Sequence, residues 1–177
     1  MTIEQVTEKV KAFEAARAAF DSLKTMNTFR FNISLDDKVV FECDGKICRI
    51  SPAYDAAIRL GILKMFEGKG FYVFQPEIEV PEASTRYLTT TLQEKVTPAN
   101  FKTRAEGQDE LFKRYNAQQQ KEMRDLFERL RIIGWSSHDN CGYDSEGNLK
   151  IFDYVANVSV REMSILTDSH GEVLAHV

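Results

Sequence analysis

The chain has 177 residues, of which 43% are hydrophobic and 28% charged, and its formal net charge is −4. This balance is typical of a globular protein with one core or two small lobes, and it argues against a disordered or fibrous chain. The longest apolar runs span a few residues, far fewer than the roughly 20 that cross a bilayer. The first residues mix acids and bases, which is not the pattern of a secretory signal. The acidic charge favours neither nucleic-acid nor membrane binding.

The three cysteines, Cys43, Cys48 and Cys141, are an odd number and form no CxxC pair. This usage favours reduced thiols in a cytoplasmic protein and argues against a zinc site. Because no base is predicted near Cys141, we interpret it as a packed residue rather than a nucleophile.

The N-terminal segment, residues 1–26, has the pattern of an amphipathic helix. Thr2 and Gln5 have the spacing of a capping box, and apolar residues then recur at intervals of three and four. Two interpretations stay open. The apolar face docks on the chain's own domain, or it binds a partner or forms a homodimer through Val6, Val10 and Phe13.

Residues 27–98 have the pattern of an antiparallel sheet with one helix. Phe29–Ile33 alternates as a strand does, and VVFEC and KICRI flank Asp44-Gly45, a hairpin turn signal. The apolar spacing of Tyr54–Phe66 predicts a helix that ends at the following glycines. FYVF, EIEV and YLTTTLQEKV predict further strands.

Residues 99–177 begin with a polar helical pattern from Thr103 to Arg131, with a break at Asn116–Gln120. Acid-then-base pairs four residues apart support an exposed helix; they are Glu110 with Arg114 and Asp125 with Arg129. Ile132 and Ile133 are predicted to be the buried end of this helix.

After Gly134 the pattern predicts a polar loop, a tight turn at 144–148, a strand at LKIFDYV and a final hairpin in the tail. Trp135 fits a core anchor or a partner-binding anchor. The order of elements predicts an α+β fold rather than alternating βαβ units.

Residues 138–154 are the strongest candidate for a chemical site. The predicted turn brings Asn140 and Asp153 together, and their oxygens are ligands that suit Mg²⁺ held by nucleotide phosphates. His138 and Asp139 are candidates for an acid–base pair. The alternative is that these residues serve only as turn and capping residues.

The run from Asn140 to Tyr154 reads N-x-G-Y-D-x-x-G-N-L-K-I-x-D-Y. It resembles the catalytic-loop and metal-loop hairpin of kinase-like phosphotransferases, which include protein kinases and aminoglycoside phosphotransferases. The resemblance implies a miniature kinase-like fold with an N-lobe sheet, a reduced helical C-terminal part and an extra N-terminal helix. It also implies ATP and Mg²⁺ as cofactors, with Arg49 on the phosphate-pairing strand and the backbone of Glu94 and Val96 in the adenine-binding hinge.

Several kinase residues are missing. No glycine precedes Asp44, so the glycine-rich phosphate loop is absent. Arg49 stands where the family has lysine, and Arg59 stands about where the family has the partner glutamate, so two cations would face each other. Trp135 or Ser136 takes the place of the catalytic aspartate. Too few residues follow Asp153 for an activation segment and a full C-lobe.

These losses favour a catalytically degenerate kinase-like protein, a pseudokinase, that acts by binding another protein. Its small size resembles that of phage or mobile-element proteins that modulate or inhibit a host protein. Two alternatives remain. One is an active minimal phosphotransferase that uses Asn140, Asp153 and Arg49. The other is an α+β interaction module unrelated to kinases.

Overall fold

The structure is a computed structural model that describes residues 1–20, 39–135, 140–159 and 161–163, with the side chains of 15–20 excepted. The chain is mixed α+β, as predicted, and its sheets are antiparallel. The helices are α1 (Ile3–Phe20), α2 (Ala53–Gly68), α3 (Arg104–Phe112) and α4 (Ala117–Arg129). The strands are β1 (Val39–Cys43), β2 (Lys46–Pro52), β3 (Glu77–Glu79), β4 (Leu88–Gln93), β5 (Thr97–Pro98), β6 (Ile132–Ile133), β7 (Cys141–Tyr143), β8 (Leu149–Ile151) and β9 (Val155–Ala156).

The chain divides into two compact units. The first unit comprises Met1–Ala57 and Glu77–Lys95, and the second comprises Ile58–Pro76 and Val96–Val177. One division lies inside α2, and another lies between Lys95 and Val96, three residues before the boundary that the sequence predicts. The N-terminal helix belongs to the first unit.

The first unit is built on a four-stranded sheet in the order β1-β2-β4-β3. β1 and β2 form the predicted hairpin, in which Asp44 (φ 49°) and Gly45 (φ 78°) occupy the left-handed region that such a turn requires. A 3₁₀ turn at Pro81–Ala83 connects β3 to β4. The predicted strand at Phe29–Ile33 lies outside the described residues.

Helix α1 covers the apolar face of this sheet. It begins with the predicted capping box, since the Thr2 N–H donates to Gln5 Oε1 (2.9 Å) and the Gln5 N–H donates to Thr2 Oγ1 (3.3 Å). One apolar cluster joins the helix to the sheet and the 3₁₀ turn. Its buried members are Val6, Val10, Phe13, Cys43, Cys48, Ile50, Val80, Ala83 and Leu88. The helix therefore docks on its own unit, which is the first of the two interpretations of its pattern.

The second unit has a core rich in aromatic rings. Phe66 of α2 is fully buried and packs against Phe74 (4.9 Å between ring centroids) and Phe127 (5.5 Å). Trp135 stacks on Phe127 at 5.0 Å. β5, β7 and β8 form a three-stranded sheet in this unit, and β6 pairs with β9.

The predicted long helix is two helices. The break lies at Lys113–Asn116, because Asn116 caps α4: its Oδ1 accepts from the Gln119 N–H at 2.9 Å. The two acids of the predicted charge pairs, Glu110 and Asp125, have other partners. Glu110 pairs with Lys113, and Asp125 pairs with Lys121.

Three further predictions of local structure are wrong. FYVF is not a strand of a sheet, because only Phe74 forms an isolated parallel bridge, to Ile151. Ile132 and Ile133 are not the end of a helix; they form β6, and Ile133 is 51% exposed. In the predicted tail hairpin, residues 161–163 are helical, because Ser159 and Glu162 cap each other's backbone N–H groups. Most of that tail lies outside the described residues.

Within the described residues, no helix combines the length and apolar character needed to cross a membrane.

Replacing Phe66 with alanine should destabilise the second unit by about 3–5 kcal/mol, because it removes a buried ring and leaves a cavity. Trp135 is the single tryptophan of the chain and lies in the same core, so its fluorescence during urea unfolding reports on this unit. Tyr54→Ala, at the exposed start of the same helix, is the matched control and should change the free energy of unfolding by less than about 1 kcal/mol. Equal effects of the two substitutions would contradict this description of the core.

Candidate functional site

The hairpin that the sequence singles out is present and is held by its own turn. Asp144 Oδ1 accepts hydrogen bonds from the N–H groups of Glu146 and Asn148, both at 2.9 Å. Gly147 has φ 80°, which an L-residue rarely adopts. The turn aligns β7 with β8, so that Cys141 lies opposite Ile151. Asp144, Gly147 and Asn148 therefore have structural roles in shaping the turn.

Asn140 and Asp153 meet at the open end of this hairpin. The carbonyl oxygen of Asn140 accepts from the N–H groups of Phe152 (2.9 Å) and Asp153 (3.3 Å). The Asn140 side-chain amide donates to the Gly134 carbonyl oxygen at 2.6 Å, which fixes the direction of its Oδ1. Asp153 Oδ1 accepts from the Tyr154 N–H at 3.0 Å. The backbone thus joins the two residues that the sequence proposes as Mg²⁺ ligands.

The chain that follows the predicted hinge runs directly beside this hairpin. Thr97 of β5 pairs with Tyr143, and Pro98 pairs with Gly142. A Cβ atom on Gly142 would lie 2.5 Å from the Thr97 carbonyl oxygen and 2.8 Å from Val96 Cγ2. Only glycine allows so close an approach. Val96 and the Asn140–Asp153 pair therefore belong to neighbouring parts of one unit.

Arg49 lies in the first unit, on the sheet face opposite α1. Its guanidinium Nη1 is 3.5 Å from Glu77 Oε2, and both side chains are more than nine-tenths buried. Glu77 Oε1 also accepts from the Thr91 hydroxyl at 2.5 Å. Sequence reasoning missed Glu77, because the expected partner was on the helix and the actual one is on β3. Arg59 is buried in α2 and belongs to the second unit.

The other predicted site residues lie as follows. Glu94 is exposed, and its carboxylate pairs with Lys46 Nζ at 2.6 Å. His138 and Asp139 lie outside the described residues, as does Ser136. Trp135 is 8% exposed and packs in the second core.

The side chains predicted to bind a partner are buried within the chain itself. Val6, Val10 and Phe13 are at most 2% exposed. A partner could reach them only if α1 left its sheet. The structure therefore gives these three residues and Trp135 a core role, and any partner of the described conformation contacts other residues.

The three thiols are buried, and burial favours their protonated form. It raises the pKa of Cys48 to about 12, with a further contribution from Cys43. Burial also raises the pKa of Cys43 and of Cys141. Within the described residues, no group of three or more His, Cys, Asp or Glu side chains could hold a metal ion.

In comparisons with protein-family models, with curated proteins and with solved structures, nothing matched this chain.

Breaking the Arg49–Glu77 pair should destabilise the first unit. We expect Glu77→Leu to lower the free energy of unfolding by about 3–5 kcal/mol, because it removes the Glu77 carboxylate from a buried guanidinium. Arg49→Met together with Glu77→Leu should cost clearly less than the sum of the single changes. Chemical denaturation followed by far-UV circular dichroism measures this cycle. Additive single effects would contradict a direct interaction between Arg49 and Glu77. The control is the same cycle on the exposed pair Lys121 and Asp125, for which we expect a coupling energy of about 0.5 kcal/mol or less.

The native thiols should react slowly with alkylating reagents at pH 8, because thiolate is the reactive form and burial raises the pKa of all three. The pKa of Cys48 is about 12 in the folded protein and about 8.5 in the unfolded chain. The protonated thiol therefore contributes fully to the free energy of unfolding below about pH 8.5. This contribution declines as the pH rises towards 12, because only the unfolded chain loses the proton in that range. Mass spectrometry after timed alkylation, with and without denaturant, measures this protection. Rapid labelling of Cys48 in the native protein would contradict its burial.

Proposed function

We propose that this chain is a catalytically degenerate kinase-like protein that acts by binding another protein. The observation that carries the proposal is the buried ion pair of Arg49. The resemblance assigns Arg49 to the phosphate-pairing strand, but its guanidinium already contacts Glu77, and Thr91 holds that carboxylate. Pairing a phosphate instead would require the guanidinium to give up its buried contact with the Glu77 carboxylate, which is energetically costly.

The order of elements supports the kinase-like part of the proposal. β2 is followed by α2, then by the edge strand β3 and the inner strand β4, and the chain passes from the first unit to the second just after β4. The resemblance expects its hinge at that passage. The hairpin with Asn140 and Asp153 then lies beside β5, the strand that follows the hinge.

Residual nucleotide binding is compatible with this proposal. Asn140 and Asp153 would hold Mg²⁺, and the cation would neutralise charge on the nucleotide phosphates. The active phosphotransferase remains the alternative, favoured by the retention of these two residues. What separates the two functions is transfer of the phosphoryl group, not binding.

We expect ATP with Mg²⁺ to stabilise the protein without transfer of its γ-phosphate. A ligand at a hundredfold excess over its dissociation constant raises the free energy of unfolding by about 2.7 kcal/mol, which thermal unfolding with and without nucleotide measures. Asp153→Asn should abolish the shift, whereas Asp109→Asn, an exposed carboxylate on α3, should leave it intact. No shift at millimolar ATP would exclude nucleotide binding and leave a purely protein-binding role.

The binding role needs its own measurement. We expect a partner purified with the tagged chain to bind wild type and Asp153→Asn with the same dissociation constant in calorimetry, because binding does not depend on the metal site. Transfer of labelled phosphate from ATP to that partner, lost in Asp153→Asn, would instead establish the alternative.

A further inference from the structure

Two cations of the second unit converge on one carbonyl oxygen. Arg114 Nη2 and Lys150 Nζ each donate a hydrogen bond to the backbone oxygen of Tyr72, and each nitrogen lies 2.6 Å from it. The two nitrogens are therefore at most twice that distance apart, or about 5.2 Å. Like charges this close repel each other, and an anion beside both would offset that repulsion more than the partial charge of one carbonyl oxygen does.

Neither cation is neutralised by a carboxylate among the described residues. Lys150 is only 8% exposed, and the Tyr72 oxygen is the one acceptor that the described chain gives its three ammonium donors. Burial and, next, the charge of Arg114 lower the pKa of Lys150, whereas Asp144, Glu146 and Glu67 raise it more weakly. These carboxylates act from a distance and form no ion pair with Lys150.

The donors are also held in place before any ligand arrives. The Arg114 guanidinium lies over the ring of Tyr115, 5.3 Å from its centroid. The Tyr115 hydroxyl oxygen accepts from the Tyr72 N–H at 2.9 Å, so its own hydrogen is free to point elsewhere. A ligand that binds here does not have to order these side chains, and such preorganisation favours binding.

We propose that Arg114 and Lys150 form a binding site for a phosphate group, either inorganic phosphate or a phosphomonoester. A phosphate carries −1.5 to −2 charges near pH 7, which matches the two cations. Two of its oxygens can each accept one donor, because hydrogen bonds of about 2.8 Å reach both nitrogens of a pair with this spacing. Tyr72, whose carbonyl oxygen the two cations share, has an exposed side chain.

This site is independent of the proposed function, and its test is separate from the ATP test. We would titrate the intact chain with inorganic phosphate at constant ionic strength, and follow binding by calorimetry and by the NMR signal of the Lys150 ammonium. Saturable binding is expected. Arg114→Gln should weaken it by about tenfold or more, because a charge-assisted hydrogen bond is lost, and Lys150→Met should do the same.

Lys102→Gln, which removes an exposed charge of the same unit, should not change the affinity. If Lys150→Met fails to fold, the exposed Arg114→Gln decides alone. Tighter binding of phosphoserine than of inorganic phosphate would identify a phosphorylated chain as the ligand, and the reverse order would identify free phosphate. No saturable binding at millimolar phosphate, binding unchanged in Arg114→Gln, or a preference for acetate would overturn the proposal.

Discussion

The second unit depends on the segment from Phe71 to Gln75. The backbone of this segment forms hydrogen bonds with β8 of the β7–β8 hairpin, and its side chains pack in the core. The Ile151 N–H donates to the Val73 oxygen, and the Gln75 N–H donates to the Ile151 oxygen, both at 2.8 Å. Phe71, Val73 and Phe74 are buried in the same core. Lys150 precedes Ile151, and Asp153 lies two residues after it. A shift of the Phe71–Gln75 segment would therefore move both the proposed phosphate site and the candidate metal site.

The Arg49–Glu77 pair explains why the first unit keeps a buried polar face on its sheet. Removing two charges from water costs several kcal/mol per ion, and a good geometry with further hydrogen bonds, such as that from Thr91 to Glu77, offsets this cost. Such a pair adds little net stability, yet neither partner can be lost alone. The pair therefore holds the Arg49 guanidinium beside the Glu77 carboxylate.

The sequence predicts the features whose causes are local. The Asp44-Gly45 turn, the Thr2 capping box and the turn at Asp144 each depend on residues within five positions of one another. It fails where distant residues decide. Arg114 is four residues from Glu110 but donates instead to Tyr72, 42 residues away. FYVF has strand propensity, but the backbone N–H and oxygen of Tyr72 bond to side chains, and only the Val73 oxygen bonds to the backbone of β8, so no strand pairing extends from it.

The same distinction bears on the kinase-like motif, because folding alone accounts for most of its residues. Asp144, Gly147 and Asn148 form the turn, Gly142 allows the approach of β5, and Leu149 and Ile151 are core residues. Lys150 anchors Tyr72. These structural roles are evidence for the shape of the hairpin and not for a reaction. Asp153 is different: it is half-buried and follows the last core residue of the hairpin, so the candidate metal site rests chiefly on its carboxylate.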